Sequence, residues 1–481
     1  MTLIHNEIIP KVQHEFDELL GFVLYDSRHT SVYEVECGIW QRLLKLGWVL
    51  LKSWFQLRCQ EYGRDPRVDD TGVETPFLEN KERTFFSVFG KFKIPRPYFY
   101  RRGGCGASPL DELLGLGDDI YSDMLRQMDA LLAVYTTYGT SGDILKRFLS
   151  FRLSTRAKQQ IVRKDAQDVV AYYDKQEAPP VGSEAEILVA QADGKGVPLI
   201  LTGFDGQQKI EKKEALVTSV YTIASQPRTP DEVLKSYFDE EPSKQQHERD
   251  RPHNKKVWAT LAGKETAFTR LQKQVTKREG SHIAYRVALC DGDPSLQRHF
   301  QERLSHFTLI LDFIHANSYL WDAAKSLFPD DGHQCRQWVK QHTAMLLSSQ
   351  TTPLITTLRT QANMPEIPAP QVEELTKAAN YFARNQAYMD YKRYLAQGLP
   401  IASGVIEGAC RHLVKDRMEG SGMHWQKPTA EAMLALRAVA ENDDWEDYHA
   451  FRRQRRQKRL YYPDSPEAFV PTVYHQLPLA F

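Results

Sequence analysis

Asp193 closes the apolar run Ile187-Leu188-Val189-Ala190-Gln191-Ala192. Gly194-Lys195-Gly196 and a second apolar run, Val197 to Leu201, follow it. Asp291 closes a similar run, Ala284-Tyr-Arg-Val-Ala-Leu-Cys290, in the sequence Asp291-Gly-Asp293. A carboxylate at the end of an otherwise buried strand is unfavourable without a partner. Two of them side by side repel unless a cation lies between them. A third acid, Glu407, opens the helix-like stretch Val405 to Met418, with Ser403 as its cap. Oxygen-only ligation favours Mg²⁺, or Mn²⁺ in its place. Two such ions ~3.5–4 Å apart activate a water or a 3′-hydroxyl and stabilise the leaving oxygen in phosphodiester transfer. Asp293 is the rival of Asp291, which is preferred because it directly follows the apolar run. The plainer alternative for Asp193 is a turn aspartate supported by its two glycines.

Around these acids stand residues with a chemical and a structural alternative each. Asp312-Phe-Ile-His315 follows a further apolar run, and His315 suits either positioning DNA or a water, or a hydrogen-bonded structural role. Arg411 and Lys415 recur with Glu407 at i, i+4 and i+8, which puts all three on one helix face. They are phosphate contacts or a solvated face. Lys195 is a scissile-strand contact or a surface lysine. Trp425 stacks on an unpaired base or packs in the core.

The elements that must position these residues come in a definite order. Ile187–Asp193, Val197–Thr202 and Ala215–Ala224 read as three meandering strands, the second turn lying around Gly203–Gly206. A polar stretch, Gln226 to Asn254, precedes a helix from Lys255 to Glu279. A fourth strand ends at Cys290, a short helix starts at Pro294, and a fifth strand covers Phe307–Leu311. An antiparallel triplet extended by two strands through helical crossovers is a ribonuclease H-like order. In it the first and fourth strands are parallel neighbours, so Asp193 and Asp291 can meet. The chain then reads as helical to about 395. The expected class is α/β: a ribonuclease H-like core interrupted by an all-helical insertion, following a mainly helical N-terminal region with a β-hairpin and a helix-turn-helix candidate.

In residue terms the expected pieces are a helical region at 1–80, a hairpin segment at 81–110 and a helical segment at 111–180. The core follows at 184–315, the insertion at 316–395, the last part of the core with Glu407 at 396–425, and a helix with a basic tail at 426–481. The insertion is expected to form its own lobe, because its apolar helices cannot all fit on one five-stranded sheet. Alternating aromatic and basic residues in Arg83–Arg102 fit a half-buried hairpin or a phosphate-backbone contact. Gly103-Gly-Cys-Gly106 has one cysteine and is no complete zinc knuckle. Ser141–Leu149, a turn, and a helix from Thr155 toward Tyr173 carrying Arg156, Lys158, Arg163 and Lys164 form the helix-turn-helix candidate. The run Arg452–Arg459 is a nonspecific phosphate contact or a solvated helix.

Composition sets the outer bounds. Hydrophobic residues make 42% and charged residues 26% of 481, which describes a globular chain with ample core. Lys+Arg and Asp+Glu are both 62, so a nucleic-acid partner must be argued from local charge. No apolar run approaches the ~20 residues of a membrane helix, and the first residues carry acids and no long apolar core, so no signal peptide and no membrane partner are expected. Six scattered cysteines without a CxxC pair point to a reducing cytoplasm.

ADGKGVPL, ALCDGD, LDFIHANSYLWDAA and ASGVIEGACRHLVKDRMEGSGMHW resemble the motifs of bacterial DDE transposases, most closely the ISKra-type insertion-sequence family. The likeness extends upstream through FGKFKIPRPYFYRRGGCG and SPLDELLGLG. The resemblance implies a Mg²⁺-dependent enzyme that cuts double-stranded DNA at element ends bearing terminal inverted repeats and joins them to target DNA. It implies a homodimer or higher oligomer on DNA and a cytoplasmic, nucleoid-associated location. It implies Asp193, Asp291 and Glu407 as the triad, with a Mutator-like helical insertion between the last two: 407 − 291 = 116 residues. Asp312-Phe-Ile-His315 matches the family's D-x-x-H feature. The alternatives are a transposase-derived DNA-binding protein without chemistry and a metal-dependent, structure-specific nuclease.

Overall fold

The computed structural model describes residues 7–68, 72–104, 106–149, 151–202, 206–238, 251–420 and 422–462. The expectations about Cys105, the turn at 203–205, the polar stretch at 239–250 and the tail beyond 462 lie outside these residues. Two units are distinct in their contacts: Met1–Tyr172 with Trp445–Phe481, and Tyr173–Asp444.

The first unit begins with helices α1 (Ile9–Gly21) and α2 (Val32–Glu61). Ser31 and Glu34 close a capping box at the start of α2, satisfying two donors that the first turn leaves free. Helix stops at Glu61, earlier than expected, and an antiparallel hairpin follows: β1 (Phe77–Ser87) and β2 (Gly90–Phe99). Phe85 and Phe92 of the hairpin are buried with Phe55 of α2, so the aromatic alternation is that of a half-buried sheet. Helices α3 (Asp123–Tyr135), α4 (Tyr138–Leu149) and α5 (Thr155–Ala166) come next, the last capped by Ser154. The single helix expected from Thr155 toward Tyr173 is broken after Ala166.

Two charge assignments are corrected in this unit. Lys158 is fully buried in an ion pair with Asp129, so it is unavailable to DNA phosphate. The basic run of the helix Trp445–Tyr461 is only partly solvated: Arg459 is exposed, but two of its arginines are interior. Arg452 and Arg456 are buried against Asp123, at 2.8 and 2.5 Å. Arg452 also reaches Asp165 at 2.9 Å, and Arg455 and Arg459 pair with Asp168. Burial alone would raise the Asp123 carboxyl. The hydrogen bond and charge of Arg456, with Arg452 behind it, hold it down at about 2. A charge run read as surface is thus half interior, because the acids that neutralise it lie some 290–330 positions away in the chain.

The second unit is α/β. Its mixed sheet has the order β5-β4-β3-β6-β7, where β3 is Ile187–Thr202, β4 Gln208–Ile223, β5 His253–Thr260, β6 Tyr285–Cys290 and β7 Thr308–Leu311. The first three pair antiparallel, while β3, β6 and β7 are parallel. This sheet plan arises from different pieces than the sequence suggested. Gly194-Lys195-Gly196 makes no turn: β3 pairs with β4 without a break from Ile187 to Thr202. Gly194 has no positive φ, and the Glu214 side chain of β4 lies over it, 2.3 Å from where a Cβ would stand. The missing third strand is β5, taken from residues expected to open a helix. That helix, α6 (Lys264–Arg278), starts only after Gly263 turns the chain at φ 96°.

Helix α7 (Pro294–Arg303) links β6 to β7. The helical block follows as α8 (Phe313–Leu327), α9 (Gly332–Leu347), α10 (Thr351–Ala362), α11 (Ala369–Asn385) and α12 (Tyr391–Ala396). It is not a separate lobe. Leu320, Val339, Leu354 and Phe382 of these helices share one core with Ile187, Val189, Val287 and Leu289 of the sheet. A short helix, α13 (Gly404–Ala409), and α14 (Lys427–Glu441) complete the unit.

Candidate active site

Asp193 lies inside β3, and not at a strand end. The parallel pairing of β3 with β6 ends at Gln191 and Leu289, and Asp193 and Asp291 each stand two residues further on, at the same level. Side chains alternate along a strand, so both acids project on the face that carries Ile187, Val189, Val287 and Leu289. Asp193 Oδ1 accepts from the Gly194 amide at 2.7 Å, and Asp291 Oδ1 from the Asp293 amide at 3.0 Å, leaving one oxygen of each uncommitted to backbone. Asp293 is engaged elsewhere: its Oδ1 caps α7 through the amides of Ser295 and Leu296, and Lys264 sits 3.4 Å away.

Glu407 returns to this place through two joints. The first is Asp312, which is buried and caps α8. Its Oδ1 accepts from the His315 amide and its Oδ2 from the Ser403 amide, both at 2.5 Å, so one carboxylate fixes the starts of α8 and α13 together. The second is Cys410, whose Sγ donates to Asp193 Oδ2 at 3.2 Å. The helix then widens into a π turn over Cys410–Lys415. An α-helix drifts by about 40° every four residues, and the wider turn absorbs that drift. Ile406, Cys410, Val414 and Met418 therefore all face inward, while Glu407, Arg411 and Lys415 stay on the exposed side.

The electrostatics reveal a set of acids that repel one another. Burial raises the Asp291 carboxyl, and the negative charges of Asp193 and Asp293 add to it against the opposing pull of the Asp293 amide and His315. Burial likewise raises Glu407, with Asp312 and Asp193 adding and His315 opposing. Asp193 thus lies within electrostatic reach of both other acids, and His315, exposed in the first turn of α8, within reach of the same two. Burial, then Asp193, pushes the Cys410 thiol far up, so it remains a protonated donor. Among the described residues no three His, Cys, Asp or Glu side chains are drawn close enough together to hold a metal ion as they stand. The donor set nonetheless suits a hard cation in kind, since it consists of carboxylate oxygens.

The remaining candidates separate clearly. Lys195, half-buried, follows Asp193 by two on the same strand face, and its charge reaches Cys410. Arg411 leans on Asp416, 3.6 Å away, and Lys415 is exposed. Trp425 is buried, its Nε1 donating to the Met418 carbonyl and its ring under Arg417, so it is a core residue and not a stacking platform. Lys164 pairs with Asp118 at 2.7 Å. Arg156 and Arg163 are exposed on the same side of α5 as Gln160 and Gln167. Sequence reasoning missed Cys410 and Tyr381. The first follows Glu407 by three positions and was legible as a neighbour on the helix. The second, on α11, had no local signal: its ring packs so closely on Gly292 that a Cβ there would lie 2.4 Å from it.

No family model matches the chain, and no curated protein matches it. Among solved structures it is similar to the Drosophila P element transposase strand transfer complex, with 9% identity over 68% of this chain and 80% of that one, at a TM-score of 0.24. A likeness of that size carries no argument about fold or chemistry, which rest on the geometry above. No helix among the described residues is long and apolar enough to cross a membrane.

Proposed function

We propose that this chain is a DNA transposase of the DDE type, with a ribonuclease H-like core. In this reading Asp193, Asp291 and Glu407 hold Mg²⁺ or Mn²⁺ for cleavage at insertion-sequence ends and strand transfer to target DNA. The observation that carries the reading is the meeting of three distant segments: Asp193 and Asp291 at one level on parallel neighbours, and Glu407 brought back to them by Asp312–Ser403 and Cys410–Asp193. The sheet order β5-β4-β3-β6-β7 supports the same core. Bound metal would supply Lewis-acid stabilisation of charge on the phosphate and a more acidic water. The chain's own residues orient the carboxylates, with Lys195 as the nearby cation and Arg411 and Lys415 further along the exposed helix side as phosphate contacts. On α5 the exposed row Arg156, Gln160 and Arg163, with Gln167 at its C-cap, has the side-chain chemistry that reads base edges and phosphates, and it is the proposed end-recognition face.

The test uses the full chain and labelled duplex carrying the DNA that flanks the reading frame, with and without Mg²⁺ or Mn²⁺. Cleavage and joining support the reading. Cleavage without joining points to the nuclease, and binding without either to a DNA-binding protein that has lost chemistry. Asp193→Asn is expected to lower cleavage by at least about 10²–10³-fold with end binding nearly unchanged. Cleavage at the normal rate would remove Asp193 from the site.

A further inference from the structure

The two aspartates of the candidate site are held in different ways. Asp193 lies within the unbroken pairing of β3 with β4, opposite Val217, so the strand ladder fixes its backbone. Asp291 has no such support. The pairing of β6 with β7 ends one residue earlier, where Cys290 stands opposite Leu311 and its carbonyl accepts from the Asp312 amide at 2.9 Å. Beyond that point the chain turns through Asp291-Gly292-Asp293, and the direction of the Asp291 carboxylate depends on how that turn is held.

What holds the turn comes from the helical block. Tyr381, Arg384 and Asn385 stand at i, i+3 and i+4 near the end of α11 and share one face. The Tyr381 ring lies over Gly292, where a Cβ would strike it and would stand 2.9 Å from Nδ2 of Asn385. Asn385 is fully buried, and its Oδ1 accepts from Nε2 of Gln297 at 2.7 Å, which ties α11 to α7, the helix that Asp293 caps. Arg384 donates from its guanidinium to the Gly292 carbonyl at 2.9 Å. That carbonyl and the Asp293 amide belong to one planar peptide group, and the Asp293 amide donates to Asp291 Oδ1 at 3.0 Å. The peptide is therefore gripped at both ends, and it cannot rotate without straining both bonds. A guanidinium at its oxygen also polarises it and strengthens its N–H as a donor.

We infer that Arg384 is a positioning residue for Asp291: acting through the Gly292–Asp293 peptide, it keeps Oδ1 on the amide and leaves Oδ2 for a cation. This role rests on the reading of Asp291 as a metal ligand. It gives the helical block a part in the site beyond packing against the sheet.

The test is Mn²⁺ binding by the full chain without DNA, read from the loss of the free-ion signal in electron paramagnetic resonance. Arg384→Met keeps most of the stem and removes the donor. It is expected to weaken Mn²⁺ binding about 10-fold, at the lower end of the ~10–100-fold that outer partners of metal ligands give, because it acts through a peptide and not on the carboxylate itself. Its circular dichroism spectrum and metal-free melting should match the wild type, since Arg384 is exposed. Arg384→Lys, which keeps a charged donor, should recover most of the affinity. Wild-type Mn²⁺ affinity in Arg384→Met, in a chain whose Mn²⁺ binding is lost in Asp291→Asn, overturns the inference and leaves the metal site standing. Equal losses in the Met and Lys variants overturn it as well, because the donor would then not matter. Weaker DNA binding in Arg384→Met with unchanged Mn²⁺ affinity would make Arg384 a phosphate contact in place of a positioning residue. Mn²⁺ binding that Asp291→Asn does not change overturns the metal-ligand reading on which the role rests.

Discussion

The thiol of Cys410 donates to Oδ2 of Asp193 across 3.2 Å, joining residues 217 positions apart. This contact fixes the rotation of the Glu407 helix about its axis. Cys410 must face the sheet, the π turn keeps Ile406 and Val414 facing it too, and Glu407 is left on the rim beside Asp193. The same contact occupies the one Asp193 oxygen not held by a backbone amide, so the thiol orients a proposed ligand without being one.

Cys410 is therefore expected to act through Asp193. Outer partners of metal ligands are worth about 10–100-fold in metal affinity or activity. Cys410→Ala should lower Mg²⁺-dependent cleavage by about that factor and raise the Mg²⁺ concentration at half-maximal rate. Cys410→Ser, which keeps a donor, should retain most of both. Equal losses in the two variants would mean that volume matters at 410 and the hydrogen bond does not.

The raised carboxyls give a pH and metal dependence with a fixed sign. Asp291 and Glu407 hold protons more tightly in the folded chain than in the unfolded one. At pH above their folded values they therefore oppose folding. That opposition is relieved as pH falls through those values toward the ordinary 3.8 and 4.5. A divalent cation competes with those protons and should stabilise the chain at pH 7.5 and not near pH 4. With a dissociation constant of about 1 mM, 10 mM Mg²⁺ adds about 1.4 kcal/mol. Thermal unfolding with and without Mg²⁺ at both pH values reads this directly. In Asp193→Asn the metal-induced gain should vanish, and a shift of the same size in that variant would place the ion elsewhere.

How much of this was legible in the sequence depends on how local the signal was. The acids were visible because each follows an apolar run, and the parallel pairing of their strands followed from the order of elements. The strand through Gly194-Lys195-Gly196 was not, because two glycines spell a turn locally, and only the unbroken pairing with β4 holds them extended. The third strand was missed because the first half of His253–Thr260 is polar, with two lysines in it, and only its second half is buried. Lys158 and Arg452 looked like surface cations because their partners, Asp129 and Asp165, come from other helices.

That last point separates two kinds of basic residue on one helix. Lys158→Ala leaves Asp129 buried and unpaired, and should destabilise by about 3–5 kcal/mol. Lys158→Met with Asp129→Leu should recover most of the loss. Arg156→Ala and Arg163→Ala, at exposed positions, should change stability by no more than about 0.5 kcal/mol. Each should instead weaken end-DNA binding by about 1–3 kcal/mol if α5 reads bases. Denaturant unfolding and binding titration on the same three variants separate the roles. A strong binding defect in a fully stable Lys158→Ala would contradict the buried pair.

Tyr381 offers the opposite case, a residue whose polar atom opposes stability. Its side chain is 5% exposed, its ring stacks on Tyr319 at 3.8 Å, and its hydroxyl is buried with no hydrogen-bond partner among the described residues. Burial pushes the phenol far up, with Tyr319, Asp291 and Asp312 adding to the shift, so it remains a neutral donor without an acceptor. A buried unpaired polar group is unfavourable by about 1–3 kcal/mol. Tyr381→Phe keeps the ring and removes the orphan, so it should stabilise the protein by about 1 kcal/mol, a rise of about 2–4 °C in Tm for a unit of this size. Gly292→Ala, which forces a methyl into the same ring, should destabilise by about 1–3 kcal/mol. Calorimetry on the two variants checks both signs. A fall in Tm for Tyr381→Phe would mean that the hydroxyl has a partner, such as a bound water. A rise in Tm with a loss of metal-dependent cleavage would mean that the donor is held unpaired for the groups that react beside Asp291.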